Sequence, residues 1–433
     1  MSNIISFDLP VNTVQDSVIP SPDSKCVAYI VKDHPGYHVE IDRTPDKVYE
    51  EIGGLTFRPD STGIAYAGMR KTKWFCICNN EEIGPYDNIG KTSPVSSPDS
   101  KKIAYTALNG GDWFAMLDGK KIGGPYEGFA PGGIIFSPDS KKIAYSVKKG
   151  NKWVVIIDGE EYLSFYSLIE RSLIFSPDSK KIAFIACNPE RNFFRNQMKT
   201  FLIVDGENGP SWNYEPQSER NGILNEVIFS PDSQRIAYAI CQNKKWSWII
   251  DNEIQKGYDA FISGRAGSPD WAKFPDFGKT ICRPQTLSFS PDSKHFAYAA
   301  TDNGQSVLVY DGEELSRMAS ILNNVIAFSP DSSHIAFEAM ENNQQFMVLD
   351  QSPLEKYWGI CGESSFSPDS TLLAYISTKD EISQDYYLNV GNKKWLMPGG
   401  PLIGAHLVWD DNNTLHVIVC KKNRITKAIY HVR

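Results

Sequence analysis

The sequence predicts an all-β fold, a β-propeller of about ten four-stranded blades. Three observations lead there. A twelve-residue phrase built around Ser-Pro-Asp-Ser recurs nine times. Its prolines, Pro22, Pro59, Pro98, Pro138, Pro177, Pro231, Pro291, Pro330 and Pro368, stand 37, 39, 40, 39, 54, 60, 39 and 38 residues apart, a blade-sized period. Apolar residues also lie on both faces of most strand-like runs, while helical periodicity is nearly absent. Such a unit cannot bury both its faces alone, so the units must stack.

The fourth copy, IFSPDSKKIAYS at 135–146, shows how one unit is built. A first strand ends in Phe136-Ser137. Pro138 presets φ and Asp139 accepts backbone N–H groups, so the pair makes a turn. A second strand follows, whose alternation places Ile143 and Tyr145 on one face and Ala144 on the other. The polar run VKKGNK at 147–152 is a hairpin tip, and WVVIID at 153–158 is the third strand. Asp158-Gly159 then turns the chain into a weaker fourth strand. The most helix-like stretch, EELSRMASILNN at 313–324, falls where the repeat needs a fourth strand and connector.

The chain ends suggest closure. A decayed tenth copy, VWDDNNTLHVIV, covers 408–419, with strands expected near 405–409, 415–420 and 425–432. That copy is one strand short. The segment from Ile4 to Leu9 is the expected replacement, and pairing the two termini removes an exposed edge. The chain reads as a single propeller over 1–433. The alternative is two packed five-bladed propellers, about 1–210 and 211–433, because the long spacings begin after the fifth copy.

Composition narrows the function. The formal net charge of −8, with no basic patch, disfavours nucleic acid as a partner. The N-terminus lacks the basic and apolar regions of a signal peptide, and the apolar runs are strand-sized, so no membrane insertion is expected. The 8 cysteines are scattered through strands and read as reduced core residues, which points to a cytoplasmic setting.

The phrase itself resembles the WD40-like Pro-Asp repeats of TolB-type β-propellers. Phe136, Ser137, Pro138, Asp139 and Ile143-Ala144-Tyr145 match that pattern residue by residue. The family's turn glycine is replaced by serine in every intact copy, as at Ser100, Ser140, Ser179 and Ser233. Serine is expected to hold the turn at negative φ. The resemblance spans about residues 15–420 and implies the fold. Its relatives include partner-binding propellers and the propeller domains of some serine peptidases, so it implies no single function.

Catalytic and metal signals are sparse. Asp99, Asp139, Asp178, Asp232, Asp292, Asp331 and Asp369 form a series that reads as turn chemistry, as does the series Asp118, Asp158, Asp205, Asp251, Asp311 and Asp350. There is no D-x-D-x-D-G, H-E-x-x-H, G-x-S-x-G or phosphate-loop motif. His38, Glu40 and Asp42 alternate along one strand face, which by itself is too few convergent ligands for a metal. No cofactor is expected. Trp74, Trp113, Trp153 and Trp246 recur at the start of third strands and read as caps on each blade.

The aromatics outside the repeat are the binding candidates. Two insertions, ENGPSWNYEPQSERN at 207–221 and DAFISGRAGSPDWAKFPDFGK at 259–279, account for the long spacings. They carry Trp212, Tyr214, Arg265, Trp271, Phe274 and Phe277, residue types that anchor interfaces. Both insertions are expected after third strands of neighbouring blades, near 189–226 and 252–286, forming one wall. The expected function is a non-catalytic binding or scaffold propeller for a protein or peptide. The alternative is a channel-sited hydrolase or lyase acting on a sugar or peptide. That enzyme would need two carboxylates, or a histidine and a carboxylate, converging within hydrogen-bond reach.

Overall fold

The computed structural model describes residues 5–92, 94–192, 195–214, 222–262, 287–322, 326–380 and 385–432. They form ten antiparallel sheets of four strand positions each, the architecture that the repeat predicts. The fourth sheet is typical, with strands Gly128–Phe136, Ile143–Lys149, Lys152–Ile157 and Glu160–Phe165 paired in chain order. In five sheets the first strand is split into two short pieces that pair with the same second strand. Within the helix-like stretch at 313–324, Glu313–Met318 and Ser320–Ile321 are strands.

The tenth sheet completes itself across the chain. Its Arg424–His431 strand pairs with the N-terminal strand Ile5–Asp8, in the register Ile5↔Lys427 to Asp8↔Arg424. The N-terminus therefore supplies the missing fourth strand, as the repeat count requires.

The core is divided into slabs. Of ten apolar clusters among the described residues, nine draw on two sheets consecutive in the chain and one joins the tenth sheet to the first. Ala183, Ile185 and Leu202 of the fifth sheet meet Val227, Tyr238 and Ile249 of the sixth. Ile418 and Ile425 of the tenth meet Val27 and Tyr29 of the first. The repeat explains the fit. The second-strand aromatic faces the preceding blade, and the small Ala beside it leaves room for the following one. Tyr145 thus packs with Ala104 and Tyr126 of the third blade. Fourth-strand aromatics meet second-strand aromatics of the next blade nearly edge-on at Tyr49–Tyr66, Tyr86–Tyr105, Tyr126–Tyr145, Phe165–Phe184, Tyr258–Tyr298 and Tyr357–Tyr375, with centroids 5.6–6.3 Å apart.

Two expectations need correction. The turn serines do not keep negative φ. From Ser24 to Ser370 all nine lie between +49° and +64°. A left-handed conformation is unfavourable for a residue with a Cβ, so the side chain must contribute something that glycine cannot. The insertions are also placed differently. The first lengthens the second and third strands of blade 5, Ile182–Asn192 and Arg195–Val204, as well as the connection beyond its fourth strand, Glu207–Tyr214. The second leaves from the split first strand of blade 7, between Ala260–Phe261 and Leu287–Phe289, both of which pair with Phe296–Asp302. The two are therefore not equivalent loops of adjacent blades.

Candidate binding face

Each blade presents one end to each side of the ring. The Pro-Asp turn and the turn between third and fourth strands share one side, the turn face. The hairpin between second and third strands and the connection to the next blade share the other, the hairpin face.

The polar groups of the turn face are committed to structure. The backbone N–H of the turn aspartate in blades 1 to 8 donates to the turn-serine Oγ of the next blade, and that of Asp369 in blade 9 donates to Asn412 Oδ1 of blade 10 at 3.0 Å. The eight serine bonds, from Asp23–Ser61 to Asp331–Ser370, measure 2.9–3.1 Å. This is what the serine adds over glycine. Within a turn, the aspartate carboxylate takes the Oγ–H of the preceding serine and an N–H two residues on, as at Asp139 with Ser137 at 2.6 Å and Lys141 at 3.1 Å. Those bonds, the serine's foremost, hold the carboxylates of Asp99, Asp139, Asp178 and Asp232 below the usual 3.8, and that of Asp292 at about 2. The second aspartate series closes the other turn. Asp158 Oδ1 accepts the Ile143 N–H, and its own N–H donates to the Ile143 carbonyl.

A basic residue three places after the turn aspartate reaches across as well. Lys102 Nζ donates to the Ser140 carbonyl at 2.9 Å and Lys181 Nζ to that of Ser233 at 3.0 Å. In blades 7 and 8 this place is held by His295 and His334. They turn instead to Asp311 at 2.6 Å and Asp350 at 2.5 Å within their own blades. Clefts of about 270 and 290 Å³ lie beside these positions, lined by Tyr310, Phe328 and His334 in one and Arg235, Phe296 and Asp311 in the other. Both are smaller than a pocket for an ordinary organic ligand.

The hairpin face has its own ties. The acid following a fourth-strand aromatic accepts an N–H from the tip of the next hairpin. The pairs are Glu50–Lys71, Asp87–Gly110, Glu127–Gly150 and Asp259–Asn303, at 2.7–2.9 Å. Blade 5 stands apart here. Beyond Asn188↔Lys199 its hairpin continues for four more residue pairs, to Asn192↔Arg195, whereas the corresponding hairpin of blade 4 ends at Lys149↔Lys152. Four pairs add roughly 13 Å of ladder.

Of the residues singled out in the insertions, Trp212 and Tyr214 lie on the fourth strand of blade 5, opposite Thr200 and Met198. Trp212 takes the register place that Phe165 has opposite Trp153. It packs, partly buried, on the cluster between blades 5 and 6. Arg265, Trp271, Phe274 and Phe277 lie outside the described residues. The long blade-5 hairpin was missed as a feature, although the 54-residue spacing contains it.

His38 and Glu40 share a strand face as expected, with Nε2 3.2 Å from Oε1. The Glu40 carboxylate also accepts the Tyr29 hydroxyl at 2.7 Å, and His38 Nδ1 is 3.5 Å from Asp33. No group of three residues able to hold a metal occurs among the described residues. One histidine–carboxylate pair joins the first strand of blade 9, Gly359–Phe366, to the segment between the two short first-strand pieces of blade 10, Gly400–Pro401 and Val408–Trp409. His406 Nδ1 is 2.9 Å from Glu363 Oε2. Their mutual hydrogen bond raises the imidazole above its ordinary 6.5 and lowers the carboxyl below 4.5. Both shifts favour a standing ion pair over an acid and base poised to exchange protons.

No family model matches the chain, and no curated protein does. Solved structures do. A eukaryotic initiation factor is 11% identical, with 88% of this chain and 95% of that one covered at a TM-score of 0.47. TolB from Acinetobacter baumannii is 16% identical, with 70% and 80% covered at a TM-score of 0.27.

Proposed function

We propose that the chain is a non-catalytic binding or scaffold propeller, one ring of ten blades, that engages a protein or peptide through its hairpin face around blade 5. The observation that carries this reading is the blade-5 hairpin, whose strands Ile182–Asn192 and Arg195–Val204 outrun the seven- and six-residue strands of blade 4. The turn-face aspartates support it from the other side, since bonds within each blade already occupy their carboxylates and their backbone N–H groups are tied to the next blade. Tyr214, Arg265, Trp271, Phe274 and Phe277 are proposed to add apolar area and a guanidinium to the partner-binding surface. Free thiols at Cys76, Cys187 and Cys241 are in keeping with a reducing, cytoplasmic setting. No helix among the described residues is long and apolar enough to cross a membrane.

The test is a shortened hairpin. Residues 189–198 are replaced by Gly-Asn, the tip of blade 4, and partner capture is compared with that of the unaltered chain. Capture should be lost while the melting temperature changes little. Undiminished capture would remove the hairpin from the interface. The hydrolase or lyase reading rests on His406–Glu363. It would require turnover of a glycan or peptide that Glu363→Gln abolishes.

A further inference from the structure

The seam between blades 10 and 1 lacks the backbone donor to a side-chain oxygen that an aspartate supplies at the other nine interfaces, to serine at eight and to Asn412 at the ninth. The tenth copy has lost Ser-Pro-Asp-Ser, and its turn is one residue shorter, since Trp409 pairs with Leu415 where Phe366 pairs with Leu373. That register places His416 where the nine intact copies have a fully buried alanine, such as Ala144 or Ala374. This position faces the next blade, here the first. His416 is itself fully buried. Its Nδ1 is 2.8 Å from Asp410 Oδ2 and its Nε2 is 2.9 Å from the Asp23 carbonyl oxygen. Asp23 heads the ring's first turn, and its N–H continues the series to Ser61. The serine of that turn, Ser24, receives the His406 N–H at 3.2 Å instead of an aspartate N–H.

Both ring nitrogens of His416 face oxygen. The Asp23 carbonyl can only accept, so Nε2 must carry a proton. The contact between Nδ1 and Asp410 needs another, held on the nitrogen or on the carboxyl. The Asp410–His416 pair therefore holds one proton more than a carboxylate beside a neutral imidazole. Without it, a buried lone pair would face an acceptor, a costly arrangement in a low dielectric. Other charged groups also surround the seam: Asp42 accepts the Val27 N–H, and Lys427 of blade 10 acts on Cys26 of blade 1. Asp23 bonds Ser21 and lies 4.0 Å from Lys25, Asp411 takes the Asn413 N–H, and Glu363 pairs with His406. His431 reaches Thr414 at 3.4 Å, and His38 lies between Asp33 and Glu40.

We propose that the propeller carries a proton-dependent clasp at its seam: the shared proton of Asp410 and His416 holds blade 10 to the Asp23 turn of blade 1, and its loss loosens the seam while the other interfaces stay shut. The N-terminal strand Ile5–Asp8, which completes blade 10, is released with it.

The test is hydrogen exchange of the full chain between about pH 6 and 9, corrected for intrinsic rates. Peptides from 5–8, 19–27 and 408–431 should lose protection roughly tenfold or more as pH rises, the scale of one charge-assisted bond. Those from 128–165 should not. His416→Gln should show the looser seam throughout and no pH response. Protection at the seam that ignores pH, or a pH response retained in His416→Gln, would overturn the clasp. Nitrogen-15 spectra of histidine-labelled unaltered chain give a check that needs no variant. An unprotonated His416 Nδ1 beside an ionised Asp410 would also overturn it.

Discussion

The backbone N–H of Asp139 in blade 4 donates to the Oγ of Ser179 in blade 5 at 2.9 Å, while Ser179 sits at a φ of +63°. The strained conformation and the bond belong together, because the turn that strains the serine also aims its hydroxyl at the preceding blade.

Substitutions at Ser179 separate the two effects. Ser179→Ala keeps the strain and loses the bond, and should destabilise by about 1–3 kcal/mol. Ser179→Gly loses the bond but relieves strain of about 1 kcal/mol, so it should fall between alanine and the unaltered chain. Thermal melting checks the order. A glycine variant that melts above the unaltered chain would show that the bond contributes nothing.

Acid should loosen the turn face. The carboxylates of Asp99, Asp139, Asp178, Asp232 and Asp292 are lowered in the folded chain, chiefly by the preceding serine hydroxyl. A lowered folded value stabilises above the unfolded value and is lost as pH falls through the folded one. The loss should therefore run from about 3.8 down toward 2. Hydrogen exchange in the peptides carrying these turns reads it, and protection unchanged down to pH 2 would contradict it. Asp139→Ala should lower the melting temperature without affecting partner binding.

Removing residues 1–12 should lower the melting temperature. It strips the ladder Ile5↔Lys427 to Asp8↔Arg424 and takes Phe7 from the face of Tyr29, 6.4 Å away. Equal melting of the truncated and full chains would mean that this strand does not close the ring.

Trp212→Ala should act as a core truncation, costing about 3 kcal/mol, because Trp212 fills the contact between blades 5 and 6. Partner binding should survive below the lowered melting temperature. Lost binding with unchanged melting would instead make Trp212 part of the interface.

These residues show what the sequence could reveal. Repeated Phe-Ser-Pro-Asp-Ser and Ile-Ala-Tyr encode strand, turn and strand locally, so blade number and closure were legible. The contact that explains Ser179 joins it to Asp139, 40 residues away. No local rule about turns contains that partner, which is why negative φ was expected. The insertions were misplaced for a related reason. Spacing between prolines counts extra residues but does not say which strand gap holds them. His416 was hidden inside a copy that looked merely decayed, and its role depends on the blade that follows it around the ring.

The most direct test of the binding proposal is hydrogen exchange of the full chain with and without a captured partner. The account expects protection in hairpin-face peptides spanning 186–201 and 211–226, and none in the Pro-Asp turns at 137–142 and 176–181. Protection centred on those turns, with the blade-5 hairpin unchanged, would contradict it.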